Sequence, residues 1–318
     1  MLLRRTVLAI SAALMIAPAL AASPLSVVTT TGMIADAARA VGGDRVSVEA
    51  LMGEGVDPHA YRQTRTDILA LGKADLVLWH GLYLEAQMEG FLRELASARP
   101  PGRVVAVADA LPTDRLIAHD DYADKRDPHV WMTPALWALV VAEVRDRLVA
   151  SDPEGAATYR ANAETHLAEI EALGTYTAEV LSSVPPEARV LVTAHDAFNY
   201  FGTTYGFEVV GIQGISTESE AGLARIAELV DMLVARNVGA VFVESSVSDR
   251  NIRALIEGAA AQGHRVAIGG ELYSDAMGAP GTYEGTYLGM IDHNATVIAR
   301  ALGGETPARG MADKLTLN

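Results

Sequence analysis

The sequence predicts an α/β fold of two lobes, each a mainly parallel four-stranded sheet flanked by helices, joined by one long rigid helix. Three observations carry this. Short strand-like runs alternate with helix-patterned stretches in both halves, the rhythm of parallel sheets covered by helices. The strand-like runs are apolar throughout, as strands buried on both faces are. Between the halves lies an uninterrupted amphipathic stretch instead of a Gly/Ser linker.

Residues 1–22 read as a secretory signal peptide: a positive start at Arg4 and Arg5, an apolar stretch from Val7 to Ile16, and a small-residue cleavage site at Ala19-Leu20-Ala21. The apolar run is shorter than the roughly 20 residues a spanning helix needs, and Pro18 interrupts its end, so export is expected instead of an N-terminal anchor. The mature chain then begins near Ala22 or Ser23. A first lobe is expected over 23–152, with strands at Leu25–Thr31, Val46–Met52, Leu76–His80 and Val104–Ala108. Its helices are expected at Gly32–Val41, Arg65–Gly72 and Leu82–Ala96. The connector is expected over 153–184. Ala156, Tyr159, Ala163, His166, Ile170, Leu173 and Val180 recur there at three- and four-residue spacing. It begins after Ser151-Asp152-Pro153, a capping residue followed by proline, and stops before Pro185-Pro186. About 28 helical residues span roughly 40 Å, which makes a stiff strut and limits relative motion. A second lobe is expected over 185–318, with strands at Arg189–Ala194, Glu208–Ile212, Ala240–Glu244 and Arg265–Gly269, and helices at Ser219–Arg236 and Asp249–Gln262.

Composition narrows the function. Losing Arg4 and Arg5 takes the basic residues from 25 to 23 against 40 acidic ones, so the formal charge moves from −15 to −17. Nucleic acid needs a basic patch, so it is not an expected partner. The chain has no cysteine, hence no disulfide, no thiolate ligand and no residue to carry a lipid anchor. A soluble protein, free in a Gram-negative periplasm and monomeric, is expected. No Gly-x-Ser-x-Gly, phosphate loop or dinucleotide fingerprint occurs, which removes the common enzyme classes. A short charged segment, His119–Asp127, reads equally well as a solvated turn or as an accessory metal-collecting loop.

Four patterns put a metal-capable side chain after a strand or in a Pro/Gly-marked loop: Gly55–His59, Asp127–Trp131, Thr193–Phe198 and Glu271–Gly278. Their candidate ligands are His59, His129, His195 and Asp275, separated by 70, 66 and 80 residues. Such spacing means one ligand per loop, converging where the carboxyl ends of strands meet a cleft between lobes. Imidazole and carboxylate donors suit zinc, manganese, iron, copper or nickel, and three nitrogens with one carboxylate describe a closed, roughly tetrahedral site. The prolines in the two Asp-Pro-His copies pre-position their histidines. Spacing alone leaves loop histidines and a metal site about equally placed.

Gly55–His59, Asp127–Trp131, Thr193–Phe201, Gly211–Glu220 (GIQGISTESE), Phe242–Ser246 and Gly269–Gly278 together resemble the metal receptors of bacterial ABC importers, the cluster A-I (cluster 9) solute-binding proteins of TroA-like type. The resemblance runs in order over essentially the whole mature chain. It implies two α/β lobes on one long helix, an ion held between them, and metal ligands at His59, His129, His195 and Asp275. It further implies capture of Zn2+ or Mn2+ as cargo and delivery to a cognate ABC permease in the inner membrane, with no enzymatic activity. Manganese-type members often carry glutamate where this chain has His195, whereas strongly zinc-type members often carry a long His-rich loop where this one has a short acidic segment. Zinc should bind more tightly in vitro, and acid should weaken binding because protonated imidazole cannot ligate.

Other residues take blander readings. His80 is expected as a satisfied core or loop histidine, or else as an outer support of the site, and His166, His264 and His293 in packing or surface roles. Asp196 is expected to cap the helix after it, or else to bond a ligand imidazole. Glu244 is a candidate to orient a ligand, and Trp131 and Phe198 either shield the ion or belong to the core. Two other functions use the same residues: a metallohydrolase with Glu244 as its general base, and an organic-solute receptor, for which 6% aromatic residues is sparse.

Overall fold

The computed structural model describes residues 23–119 and 124–316. The signal-peptide reading of 1–22 therefore falls outside the described residues, as do 120–123 of the charged segment.

The first half is a four-stranded parallel sheet in the order β2-β1-β3-β4. It is built from β1 (Leu25–Thr29), β2 (Val46–Ala50), β3 (Leu76–Trp79) and β4 (Val104–Ala106). Its crossovers carry α1 (Gly32–Gly42), α2 (Arg65–Lys73) and α3 (Glu89–Ala98). A capping box starts α2: Thr64 accepts from the backbone of Asp67, and the Asp67 carboxylate accepts from the backbone of Thr64. The third helix starts later than the expected Leu82, because Leu82 and Tyr83 both take positive φ, incompatible with a right-handed helix.

A helix not among those expected, α4 (Pro134–Ser151), leads to the connector α5 (Ala156–Ser182). Asp152 closes the junction: its carboxylate accepts from the Gly155 backbone, the Arg45 guanidinium and the Tyr159 hydroxyl. Twenty-seven residues make α5 roughly 40 Å long. Tyr159, Ala163, Ile170, Leu173 and Leu181 of α5 share one buried cluster with Met33 and Ile34 of α1, Trp137 and Val141 of α4, and residues of the second half. The connector is thus packed along its length and is not a bare strut.

In the second half β5 (Val190–Thr193) pairs with β6 (Glu208–Gly211), and β7 (Ala240–Glu244) with β8 (Ala267–Leu272), both parallel. Between them run α6 (Asn199–Tyr205), α7 (Leu223–Ala235) and α8 (Arg250–Ala261), and α9 (Tyr287–Ala301) follows. The expected single four-stranded sheet is instead two two-stranded ladders with β5 lying beside β7. Side chains join them: Val190 and Val192 of β5 share a buried cluster with Val241 of β7. Strand β8 also runs past the expected end at Gly269. Gly269 and Gly270 are a packing seam, not a turn, since a Cβ at 269 would meet Phe242 and Ala301, and one at 270 would meet Val297 of α9. No helix among the described residues is long and apolar enough to cross a membrane.

Candidate metal centre

Loops after four different elements bring the sequence-nominated residues to one point. His59 lies between β2 and α2, and His129 precedes a 3-10 turn, Val130–Met132, that leads into α4. His195 follows β5 directly, and Asp275 follows β8. All four are buried, at 1, 0, 0 and 2% exposure, and one ligand atom from each lies within 4.8 Å of all the others.

The local sequence aims each ring. In both Asp-Pro-His copies the aspartate accepts from the histidine backbone two residues on: Asp57 Oδ1 from His59 N and Asp127 Oδ1 from His129 N, each at 2.9 Å. These are Asx turns, so aspartate as well as proline sets the loop. The second copy goes further, because Asp127 Oδ1 also lies 2.7 Å from His129 Nδ1. His195 has an equivalent partner in Glu244, whose Oε1 accepts from His195 N at 2.8 Å and whose Oε2 sits 2.5 Å from His195 Nδ1. With Nδ1–H donated to a carboxylate, Nε2 keeps its lone pair and points inward, the way ligating imidazoles are commonly held.

Inside the cluster His129 Nε2 lies 3.3 Å from His59 Nε2 and 3.4 Å from His195 Nε2. Asp275 Oδ1 is 3.3 Å from His129 Nε2, and Asp275 Oδ2 is 3.2 Å from His195 Nε2 and 3.8 Å from His59 Nε2. These are ion-pair distances without hydrogen-bond alignment: neither Asp275 oxygen accepts an aligned hydrogen bond. Burial disfavours every charge here, yet the charges redistribute. Burial pushes His59 down to about 3. At His129 burial works the same way, but the Asp127 and Asp275 carboxylates outweigh it and raise the imidazole to about 9. At His195 the carboxylates of Glu244 and Asp275 overcome burial and hold it well above the ordinary value. Asp275 is held well below the ordinary carboxylate range by His195 and His129, against burial. Among the described residues, Asp127, Glu244 and Asp275 have only histidines as ion-pair partners. Three buried carboxylates without a Lys or Arg form a strong demand for cationic charge.

Around this core the other nominated residues find places. His80 is fully buried, stacks edge-on to Trp131 and pairs through Nε2 with Pro128 O at 2.8 Å, bracing the second Asp-Pro-His loop. Trp131 touches the His129 ring edge-on and donates from Nε1 to Ser274 O beside Asp275. Phe198 packs against Phe201 in the main core. His166, His264 and His293 lie apart from the cluster, against Glu169, Val238 O and Glu271 O respectively. Asp196 does not cap the helix after it: α6 starts at Asn199 with no side-chain cap, and Asp196 Oδ1 is buried without a hydrogen-bond partner. Nor does Asp196 bond a ligand imidazole, since His195 Nδ1 is taken by Glu244. Both Glu244 oxygens face His195, an orienting role and not that of a free general base. His119 and Asp127, at the two ends of the charged segment, are buried, so those ends are not a solvated turn. The orienting role of Asp127 escaped the sequence reading; its signal was the aspartate two residues before both loop histidines.

Comparison with known proteins places these features in company. Residues 27–301 match the model of a family described as "Zinc-uptake complex component A periplasmic". Over 278 residues the chain is 46% identical to the manganese-binding lipoprotein MntA of Bacillus subtilis, covering 87% of this chain and 90% of that protein. It is 43% identical over 276 residues to the zinc-binding protein TroA of Treponema pallidum, covering 87% and 88%. The solved structure of the Treponema pallidum protein superposes with a TM-score of 0.84 at 42% identity, covering 88% of this chain and 99% of that one.

Proposed function

The chain belongs to the family of periplasmic zinc-uptake component A, and from that premise we propose that it captures a divalent transition-metal ion with His59, His129, His195 and Asp275 and hands it to an ABC importer. One observation carries the site assignment. The edge of a tetrahedron is 1.63 times its centre-to-vertex distance, so zinc bonds of 2.0–2.1 Å put neighbouring ligand atoms about 3.3–3.4 Å apart. Four of the separations between the three Nε2 atoms and Asp275 are 3.2 to 3.4 Å, the two to Asp275 through its different oxygens, and the separation of His59 from Asp275 is wider at 3.8 Å. Asp127 and Glu244 occupy the Nδ1 atoms of His129 and His195, which leaves the three Nε2 atoms gathered at one centre beside Asp275.

The cargo is zinc or manganese. One relative is named for each metal, and the ligand set favours zinc by intrinsic affinity. The molecule is read as a monomeric receptor without catalytic activity: the four ligands leave no open coordination position, and Glu244 is committed to His195. Its parts are a signal peptide at 1–22, lobes over 23–152 and 185–318, and a connector over 153–184. With no cysteine in the sequence to carry lipid, the receptor diffuses freely in the periplasm. Metal content of the protein isolated from its native periplasm, followed by zinc–manganese competition, tests the reading. One ion per chain is expected, with zinc displacing manganese; protein that retains neither metal contradicts it.

A further inference from the structure

Two of the four converging side chains are clamped at the ring from within their own half of the chain. His129 is held at Nδ1 by Asp127, and His195 at Nδ1 by Glu244. Asp275 has no hydrogen-bond partner on either oxygen, and its loop is held through Ser274, which pairs with Ser246 and accepts from Trp131. His59 is held differently. Its Nδ1 is buried without a hydrogen-bond partner, and its ring contacts are with His129 and His195. Its side of the site is fixed through the backbone, by the bond from His59 N to Asp57 Oδ1.

The other oxygen of Asp57 reaches across the molecule. It accepts from the Thr217 hydroxyl at 2.6 Å, 160 residues away in the second half. Thr217 sits in the Gly211–Glu220 segment after β6, next to Glu218, which pairs with Gln87 of the first half. This segment is therefore a seam between the halves, and the only one of the resembling motifs with no part in the ligand set or its immediate supports.

We propose that Thr217 and Asp57 form an interlobe latch that sets how long the ion stays bound by fixing His59, the ligand that engages last on capture and leaves first on release. The inference rests on the metal-capture reading. When the halves part, the Thr217–Asp57 bond breaks and the carboxylate that anchors His59 N loses its cross-cleft restraint. The His59 ring, with nothing on Nδ1, is then free to turn away. His129 and His195 keep their rings pinned at Nδ1 by Asp127 and Glu244 of their own halves, even though Asp127 also loses a cross-cleft bond from Asn199. Thr217 is thus a positioning residue acting through Asp57 and His59.

The test is release of zinc from the full-length receptor into a competing chelator. A hydrogen bond to a charged group is typically strong enough that its loss in Thr217→Ala should speed release by about ten-fold or more. Association should change little, since the latch forms after capture. Thr217→Ser should restore slow release, and Thr217→Val, which keeps the shape and loses the hydroxyl, replaces the alanine variant if that one melts early. In a His59→Ala background, Thr217→Ala should add nothing, because both changes act through one ligand. Wild-type release rates in Thr217→Ala and Thr217→Val, failure of serine to restore, or full additivity with His59→Ala would each overturn the latch. If the wild-type protein retains no zinc at all, the capture reading itself fails; tight wild-type retention with an inert Thr217 removes only the latch.

Discussion

Single side chains decide this site through what stands behind them. Asp127 and Glu244 each bond both the backbone and the ring of a histidine. Losing either should lower zinc affinity about 10- to 100-fold, the usual cost of removing such a support. Asp127→Asn and Glu244→Gln, titrated against a competing chelator, should both show that loss; affinity unchanged in both would mean the clamps are incidental. A second residue-scale expectation concerns Glu85, buried after the end of β3 with bonds from Thr30 Oγ1, His80 N and Gly81 N. Burial pushes its carboxyl up to about 7 from 4.5, against the pull of those donors. Its folded-state value is raised, so its stabilising contribution is complete below about 4.5 and declines as pH rises through about 7. Glu85→Gln should therefore gain on the wild type between pH 5 and pH 8 in denaturant midpoints, and a gap independent of pH would refute the shift. At this scale the quartet was legible because four separate motifs resembled one family. Asp57–Thr217 was not legible, since nothing local in the sequence says which loop meets which across 160 positions.

Elements were read well where apolar residues repeat on one face or run without interruption, as in β1, β3, β7 and α5. The misses have physical causes. Helix α9 buries Asp292, Asn294 and Thr296 along with its apolar residues, which blurs the one-sided stripe that marks a surface helix. Glycines usually punctuate, and that rule ended β8 too early. Gly269 and Gly270 instead let α9 lie directly on the strand, and Gly270 sits at φ 152, where L side chains are rarely found. Gly270→Ala should cost about 1–3 kcal/mol through backbone strain and overpacking against Val297. Thermal melting of the metal-free protein checks this; a melting point within error of the wild type would show that the seam has slack. Because β8 ends three residues before Asp275, the same variant should also loosen zinc binding.

At the scale of the whole molecule, the long connector joins the two halves through one continuous core. Buried residues of α1, α4, α5 and α9 belong to a single cluster, so large hinge rotation would break packing that a linker would not have. The radius of gyration, expected near 19 Å for a compact chain of this size, should change by less than about 1 Å between metal-free and zinc-loaded protein in small-angle scattering. A change of several ångströms would mean the connector bends. The two-lobe α/β plan was readable from the β–α rhythm, and the closeness of the halves was not. Cross-cleft bonds such as Thr217–Asp57 and Asn199–Asp127 depend on how two separately folded surfaces meet.

The central claim is that four residues from both halves close around one ion. Anomalous diffraction from zinc-loaded crystals at the zinc absorption edge tests it most directly. The account predicts one strong peak per chain, about 2.0–2.2 Å from the Nε2 atoms of His59, His129 and His195 and from the Asp275 carboxylate. A peak elsewhere, or a zinc ion whose coordination is completed by water while one of these four stands apart, would contradict it.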